Sequence, residues 1–326
     1  MHKGVTFLTV FILAAGAVTG SGRSVAADAS KTYPSKSVRM IVPFSPGGGV
    51  DFIARLIGSK LSDALKQSFV IDNRTGAGGT IGVAVAAKAP PDGYTLVLTS
   101  ISLAFSPSLY QNLPYDTLTD LAPISLVANS PNVLVTHPSL PVKSVRELIN
   151  FAKARPGKLS YGGGGGASQI SAQYFVRTAG ISMVLVPYKG VPPALIDLIA
   201  GNIDLSMATI APAVPFIRTR KLRALGVTTP KRSAIVPDIP TIAESGLPGF
   251  EFSTWYGLLA TGGTPRPIIT TLNSEVSRML QLREVRERMV LQGVEPAWNT
   301  PEEFGAYIKA EIAKWAPIIK DSGGSQ

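Results

Sequence analysis

Two periods alternate along this chain. Residues 38–44 (VRMIVPF) form a short run of β-branched and apolar positions that reads as a strand. From residue 50 to 65 the period changes, and Ile53, Leu56, Ile57, Leu61, Ala64 and Leu65 fall on one stripe at helical spacing. Residues 69–73 (FVIDN) return to strand character. A Gly-rich turn and an Ala-rich helix at 81–89 follow, and 94–100 (YTLVLTS) is the next strand. This repeated strand–loop–helix order predicts an α/β fold, with a mainly parallel sheet covered by helices on both faces.

Residues 122–136 (APISLVANSPNVLVT) hold two apolar runs on either side of Asn129-Ser130-Pro131-Asn132. That breaker suits a long strand crossing from one lobe to another. A second α/β series follows, with helices at 145–154, 169–179 and 193–200 and strands at 159–161, 183–188, 203–209 and 222–229. The Pro- and Gly-rich stretch 237–249 reads as the return crossing, and 256–261 (YGLLAT) re-enters the first lobe. Helices at 268–280, 284–292 and 301–319 close the pattern, with Pro317 in the final turn. The expected division is a first lobe of 33–130 and 250–326 and a second lobe of 131–249. Each lobe begins with a strand, a Gly-rich loop and a helix: PFSPGGG at 43–49 and YGGGGG at 161–166.

The N-terminus has a different pattern. A basic start (Met1-His2-Lys3), an uninterrupted apolar run at 5–18 and small residues at Val25 and Ala27 describe a cleavable secretory leader over 1–27. The apolar run falls short of the roughly 20 residues a membrane span needs, which weighs against the alternative of an uncleaved anchor. No Cys occurs anywhere, which excludes a lipoprotein anchor, disulfides, thiolate metal sites and a Cys nucleophile. Of the two histidines, His2 lies in the leader and His137 precedes Pro138 in an expected surface loop. The formal charge of +10 is scattered along the chain rather than gathered in a basic run. It therefore offers no case for nucleic acid and favours capture of anions.

The candidate chemistry lies in the Gly-rich loops. Pro43-Phe44-Ser45-Pro46-Gly47-Gly48-Gly49-Val50-Asp51 joins the end of a strand to the start of a helix, where ligands sit in open α/β sheets. Its glycines let backbone N–H groups approach an anion at the helix N-terminus; a tight turn without ligand is the alternative. Asp51 is expected to tie the loop together rather than touch an anion. Tyr161 to Gln169, with five glycines and Ser168, is the matching element of the second lobe. The loop at 73–82 (NRTGAGGTIG) fails both the dinucleotide and the P-loop patterns and reads as a structural turn.

The ordered set YPSKSVRMIVPFSPGGGVDFIARLIGSKL, VIDNRTGAGGTIG, PPDGYTLVLTS, LPYD, VPYKG, KLRALGVTT, PDIPTIAESGLPGFE and TWYGLLA resembles the substrate-binding proteins of tripartite tricarboxylate transporters, also called Bug proteins. The resemblance covers residues 33–320. It implies a two-lobed, type II-like periplasmic binding protein, hinged by two crossing segments, without catalytic residues, metal or organic cofactor. It implies delivery of a small carboxylate to a carrier of one large and one small membrane subunit. The two Gly-rich loops, one per lobe and each able to offer N–H groups to a negative end, favour a dicarboxylate, and a monomer is expected. Carried over residue by residue, Phe44, Gly47, Gly48 and Gly49 match the first cradle. Ser100 and Ser102 match the loop after the third strand, and Gly164, Gly165, Gly166 and Ser168 match the second cradle. Ala208 stands where some members carry a carboxylate. A sensory protein serving a membrane kinase, or an enzyme on the same scaffold, are the alternatives that sequence leaves open.

Overall fold

The computed structural model describes residues 1–2, 33–163, 166–188 and 190–321, so the expected leader lies almost wholly outside the described residues. From Pro34 onward the first series is β1 (Val38–Val42), α1 (Gly49–Leu65), β2 (Phe69–Asn73), α2 (Thr80–Ala87), β3 (Thr95–Ser100) and α3 (Ser102–Leu109). Then come β4 (Leu121–Ser130), β5 (Asn132–Thr136), α4 (Val145–Lys153), β6 (Ser160–Gly163), α5 (Gly166–Thr178) and β7 (Val184–Pro187). These are followed by α6 (Val191–Ile199), β8 (Leu205–Thr209), α7 (Ile210–Arg218) and β9 (Arg223–Val227). The chain ends with β10 (Thr254–Thr261), α8 (Arg266–Leu280), α9 (Arg283–Leu291), β11 (Glu295–Pro296) and α10 (Pro301–Asp321).

The strands form two sheets, of order β11-β4-β10-β3-β1-β2 and β7-β6-β8-β5-β9. Each is the centre of one lobe. The helix stripe read from the sequence packs inward: Ile53, Leu56, Ile57 and Leu61 of α1 are buried, each contributing roughly 1.5–3 kcal/mol relative to exposure. All eight residues of β10 are buried, as a strand flanked on both edges and covered on both faces must be.

The sheets are mixed rather than mainly parallel. β1 runs parallel to β2 and β3, but β10 is antiparallel to β3 and β4. In the second sheet β6 is parallel to β7 and β8, whereas β5 is antiparallel to β8 and β9. The cause is the double crossing. β5 enters the second lobe and β10 re-enters the first from the opposite lobe, so each runs against the strands that its own lobe's helices connect.

The two crossings lie side by side. Only Pro131 separates β4 from β5. Asn132 N–H donates to Thr228 Oγ1 at 3.0 Å, and Thr228 N–H donates back to the Asn132 carbonyl at 2.9 Å. Aromatic rings fill the seam next to them. Trp315 of α10 meets Phe105, Tyr174 and Phe252 edge-on at 5.7, 5.1 and 5.1 Å, and Tyr174 stacks on Phe250 at 5.0 Å. Phe105 lies on α3, Trp315 on α10 and Tyr174 on α5, and Phe250 and Phe252 lie between β9 and β10. The indole N–H groups of Trp255 and Trp315 both donate to the buried Glu311 carboxylate, at 3.2 and 3.0 Å.

Candidate ligand-binding site

The loop between β1 and α1 is organised from behind. The buried Asp51 carboxylate accepts from Gly47 N–H at 3.0 Å, from Arg55 Nε at 2.9 Å and from Asn73 Nδ2 at 3.0 Å. Asn73 Nδ2 also reaches the Phe44 carbonyl at 3.0 Å, which ties the loop to the end of β2. Burial pushes the Asp51 pKa up, but the hydrogen bonds from Arg55, Gly47 and Asn73 outweigh it and hold the carboxyl below its ordinary value. Gly47 sits at φ +82°, a left-handed conformation that glycine adopts without strain. A Cβ at Gly49 would stand 3.0 Å from the Tyr256 hydroxyl, tighter than an ordinary contact, so a side chain here has to push that phenol aside. Burial pushes the Tyr256 phenol up to about 12, so it stays neutral at ordinary pH.

This loop opens on a cavity of about 650 Å³ at the C-terminal ends of the strands, lined from both lobes. Five helices present their N-termini to it: α1 through Gly48, Gly49 and Val50, α3 through Ser102, α5 through Ala167, Ser168 and Gln169, α6 through Val191, and α7 through its N-cap Thr209. At α1, α3, α6 and α7 no side chain caps the first turn. The remote α4, by contrast, is capped by Ser144, which accepts from Glu147 N–H at 3.2 Å. An uncapped first turn leaves N–H groups for a ligand, and each helix N-terminus carries the equivalent of roughly half a positive charge. α7 offers least after α6, since Ile210 N–H already donates to the Pro131 carbonyl at 3.2 Å and Pro212 has no N–H. The described lining residues include no Asp, Glu, Lys, Arg or His. The described lining thus offers backbone N–H groups, hydroxyls and an amide for hydrogen bonding. Among the described residues no group of acidic, Cys or His side chains is placed to hold a metal ion.

Of the residues singled out from the sequence, Phe44, Gly48, Gly49, Ser100, Ser102 and Ser168 line this one cavity. Gly47 belongs to the loop but not to the lining, and serves Asp51 instead. Gly164 and Gly165 lie outside the described residues, and Gly166 opens α5. Ala208 is fully buried in the second lobe's core, beside Val133 and Leu195, and its successor Thr209 reaches the cavity. Ser100 and Ser102 are not loop residues: one ends β3, the other starts α3, and their hydroxyls lie 3.2 Å apart. Ser168 lines the cavity, but its hydroxyl hydrogen is engaged with the Met207 carbonyl. Sequence reasoning missed Phe105, Ser106 and Leu109 of α3, its C-cap Tyr110, and also Gly78, Ile170 and Val191. Gly78 was within reach of it, since the loop after β2 leaves the same end of the same sheet.

A family described as the tripartite tricarboxylate transporter family receptor matches residues 53–323. The chain belongs to that family. Protein BugT of Bordetella pertussis is 38% identical over 99% of this chain and 98% of its own length. Among solved structures, R. palustris Rpa4515 with adipate is 38% identical with a TM-score of 0.79, over 89% of this chain and 98% of that one. MatC from Rhodopseudomonas palustris with bound malate is 32% identical with a TM-score of 0.75, over 88% of this chain and all of that one. The receptors of this family are periplasmic binding proteins that take small carboxylates and work with a transporter. The two-lobed α/β architecture of this receptor is theirs.

Proposed function

We propose that this receptor captures a dicarboxylate between its lobes and delivers it, without chemical change, to the large and small membrane subunits of a tripartite carrier. In this reading 1–27 is a cleaved leader, the mature protein is a periplasmic monomer, and 33–130 with 250–326 closes against 131–249. The observation that carries the reading is the convergence of five helix N-termini on a cavity whose described lining holds no charged side chain. Donors without a fixed counter-ion suit an anion. Their supply from both lobes suits a ligand with an anionic end for each. A charge-assisted hydrogen bond contributes roughly 1.5–3 kcal/mol, so several of them offset the ordering costs of association and reach the roughly −8 kcal/mol of micromolar binding. The neighbours' adipate and malate are both dicarboxylates, which supports the same class.

The test is a calorimetric screen of dicarboxylates, aromatic acids, citrate, amino acids and neutral sugars, with mass spectrometry of the recovered ligand. Saturable binding of a dicarboxylate, recovered unchanged, is the expected outcome. Binding of a sugar or an amino acid with no response to any simple carboxylate overturns it, and so does the appearance of a reaction product.

A further inference from the structure

The five helix N-termini are not equivalent. An α-helix leaves the N–H groups of its first turn without partners, and these are the donors an anion or a ligand hydroxyl would meet. The first three residues of α6 are Val191, Pro192 and Pro193. Proline has no N–H, so two of the three donors of that first turn are missing. The residue of α6 that faces the cavity is Val191, half-buried and apolar. Ile170 of α5 adds a second apolar surface from the same lobe, and Phe44, Phe105 and Leu109 supply apolar surface from the other.

Resting on the function proposed above, we infer that the ligand's body is plain hydrocarbon and that Val191-Pro192-Pro193 sets this preference. The anionic ends take their donors from α1 and α5. On the α6 side the ligand meets carbon, from Val191 and Ile170, and α6 offers almost nothing to a hydroxyl; the polar side chains of Tyr110, Gln169 and Thr209 belong to other elements of the lining. A hydroxyl carried on the ligand's chain loses its water on entry and gains no donor from α6 in return. The receptor therefore selects unsubstituted dicarboxylates over their hydroxylated counterparts.

Matched pairs test this by calorimetry at one pH and ionic strength: succinate against malate, and glutarate against 2-hydroxyglutarate. In the wild-type receptor the unsubstituted member of each pair should bind about 10- to 100-fold more tightly, the range by which an apolar site rejects an added hydroxyl. Pro192 and Pro193 are exposed, so the double substitution Pro192→Ala, Pro193→Ala restores two N–H groups without disturbing the core. It should narrow the gap by strengthening the hydroxylated member. Val191→Thr, which exchanges a methyl for a hydroxyl at nearly constant shape, should narrow it by an independent route. Thermal melts confirm that each variant is folded. Hydroxylated acids binding as tightly as their partners in the wild type would sink the inference, and ratios unchanged in both folded variants would remove α6 from it. Absence of binding by every acid in both pairs and by the whole dicarboxylate screen overturns the proposed function itself.

Discussion

Gly48→Val isolates the first cradle from the fold. Gly48 sits at φ −82° and ψ 172°, an extended conformation open to any residue. A Cβ built there meets only the Ser45 carbonyl oxygen, at the ordinary contact distance of 3.6 Å. Its carbonyl still accepts Phe52 N–H at 2.9 Å, so the first helical bond of α1 is kept. The remaining cost is that of a poorer N-cap residue, at most about 1 kcal/mol. On the ligand side, the new side chain extends from a cavity-lining position beside the N–H groups of Gly49 and Val50. Loss of one to two charge-assisted hydrogen bonds removes roughly 2–4 kcal/mol. That is a rise in Kd of roughly 30- to 700-fold. Gly48→Ala, with a smaller group in the same place, should fall between. Calorimetry with a dicarboxylate ligand measures the loss, and a thermal melt checks the fold. A folded Gly48→Val variant that keeps wild-type affinity refutes any part for this loop in binding.

Three further outcomes follow from the geometry. Because the folded Asp51 pKa is depressed, its stabilisation is fully present above the unfolded value of 3.8 and is lost as pH falls through the lower folded value. Asp51→Asn should therefore lower Tm at neutral pH and flatten the acid limb of the Tm profile; an unchanged limb counts against the loop-tying role. Gly49→Ala places its Cβ 3.0 Å from the Tyr256 hydroxyl, so it should weaken binding more than Gly48→Ala does, and Gly49→Ala, Tyr256→Phe should recover part of the loss in calorimetry. Closure about the paired crossings at Pro131 and 228–253 should compact the receptor on ligand saturation, and small-angle scattering that shows no change in radius argues against a hinge.

Most of the fold was legible because strand and helix periods are strong wherever one face is buried. The α1 stripe is an example, whereas β10, buried on both faces, was legible as a short continuous apolar run. α3 was not legible, for a physical reason: Leu103, Ala104, Phe105 and Ser106 are all buried, so no polar face alternates with an apolar one. Pro107 inside the helix removed the remaining helical cue. With α3 went three lining residues, and its C-cap Tyr110 with them. Ala208 was singled out by the resemblance alone, and burial pattern could not have pointed to its neighbour Thr209. β8 is buried at Leu205, Ser206, Met207 and Ala208 alike, so the pleat gave no sign of which residue reaches the cavity. Glycine was the legible part of the site, since a run of it after a strand and before a helix has few structural uses. Its limit showed at 73–82, where the failure of two nucleotide patterns was read as the absence of any ligand contact, yet Gly78 lines the cavity.

A cavity whose described lining carries no charged side chain also bears on release. A receptor that serves a carrier must hold its ligand when closed and let go when open. A Lys or Arg partner sits on a long flexible stem and follows a carboxylate as the lobes part. A first-turn N–H group is fixed to its helix, and the dipole field it belongs to fades within that turn. In the proposed function the donors of α1 move with one lobe and those of α5 with the other. Parting the lobes by the width of one water molecule then breaks one set entirely, and water replaces it at once. The affinity of the open form falls to that of a single cradle. Dividing backbone donors between two lobes thus makes tight capture and rapid release compatible, which a salt bridge housed in either lobe would oppose.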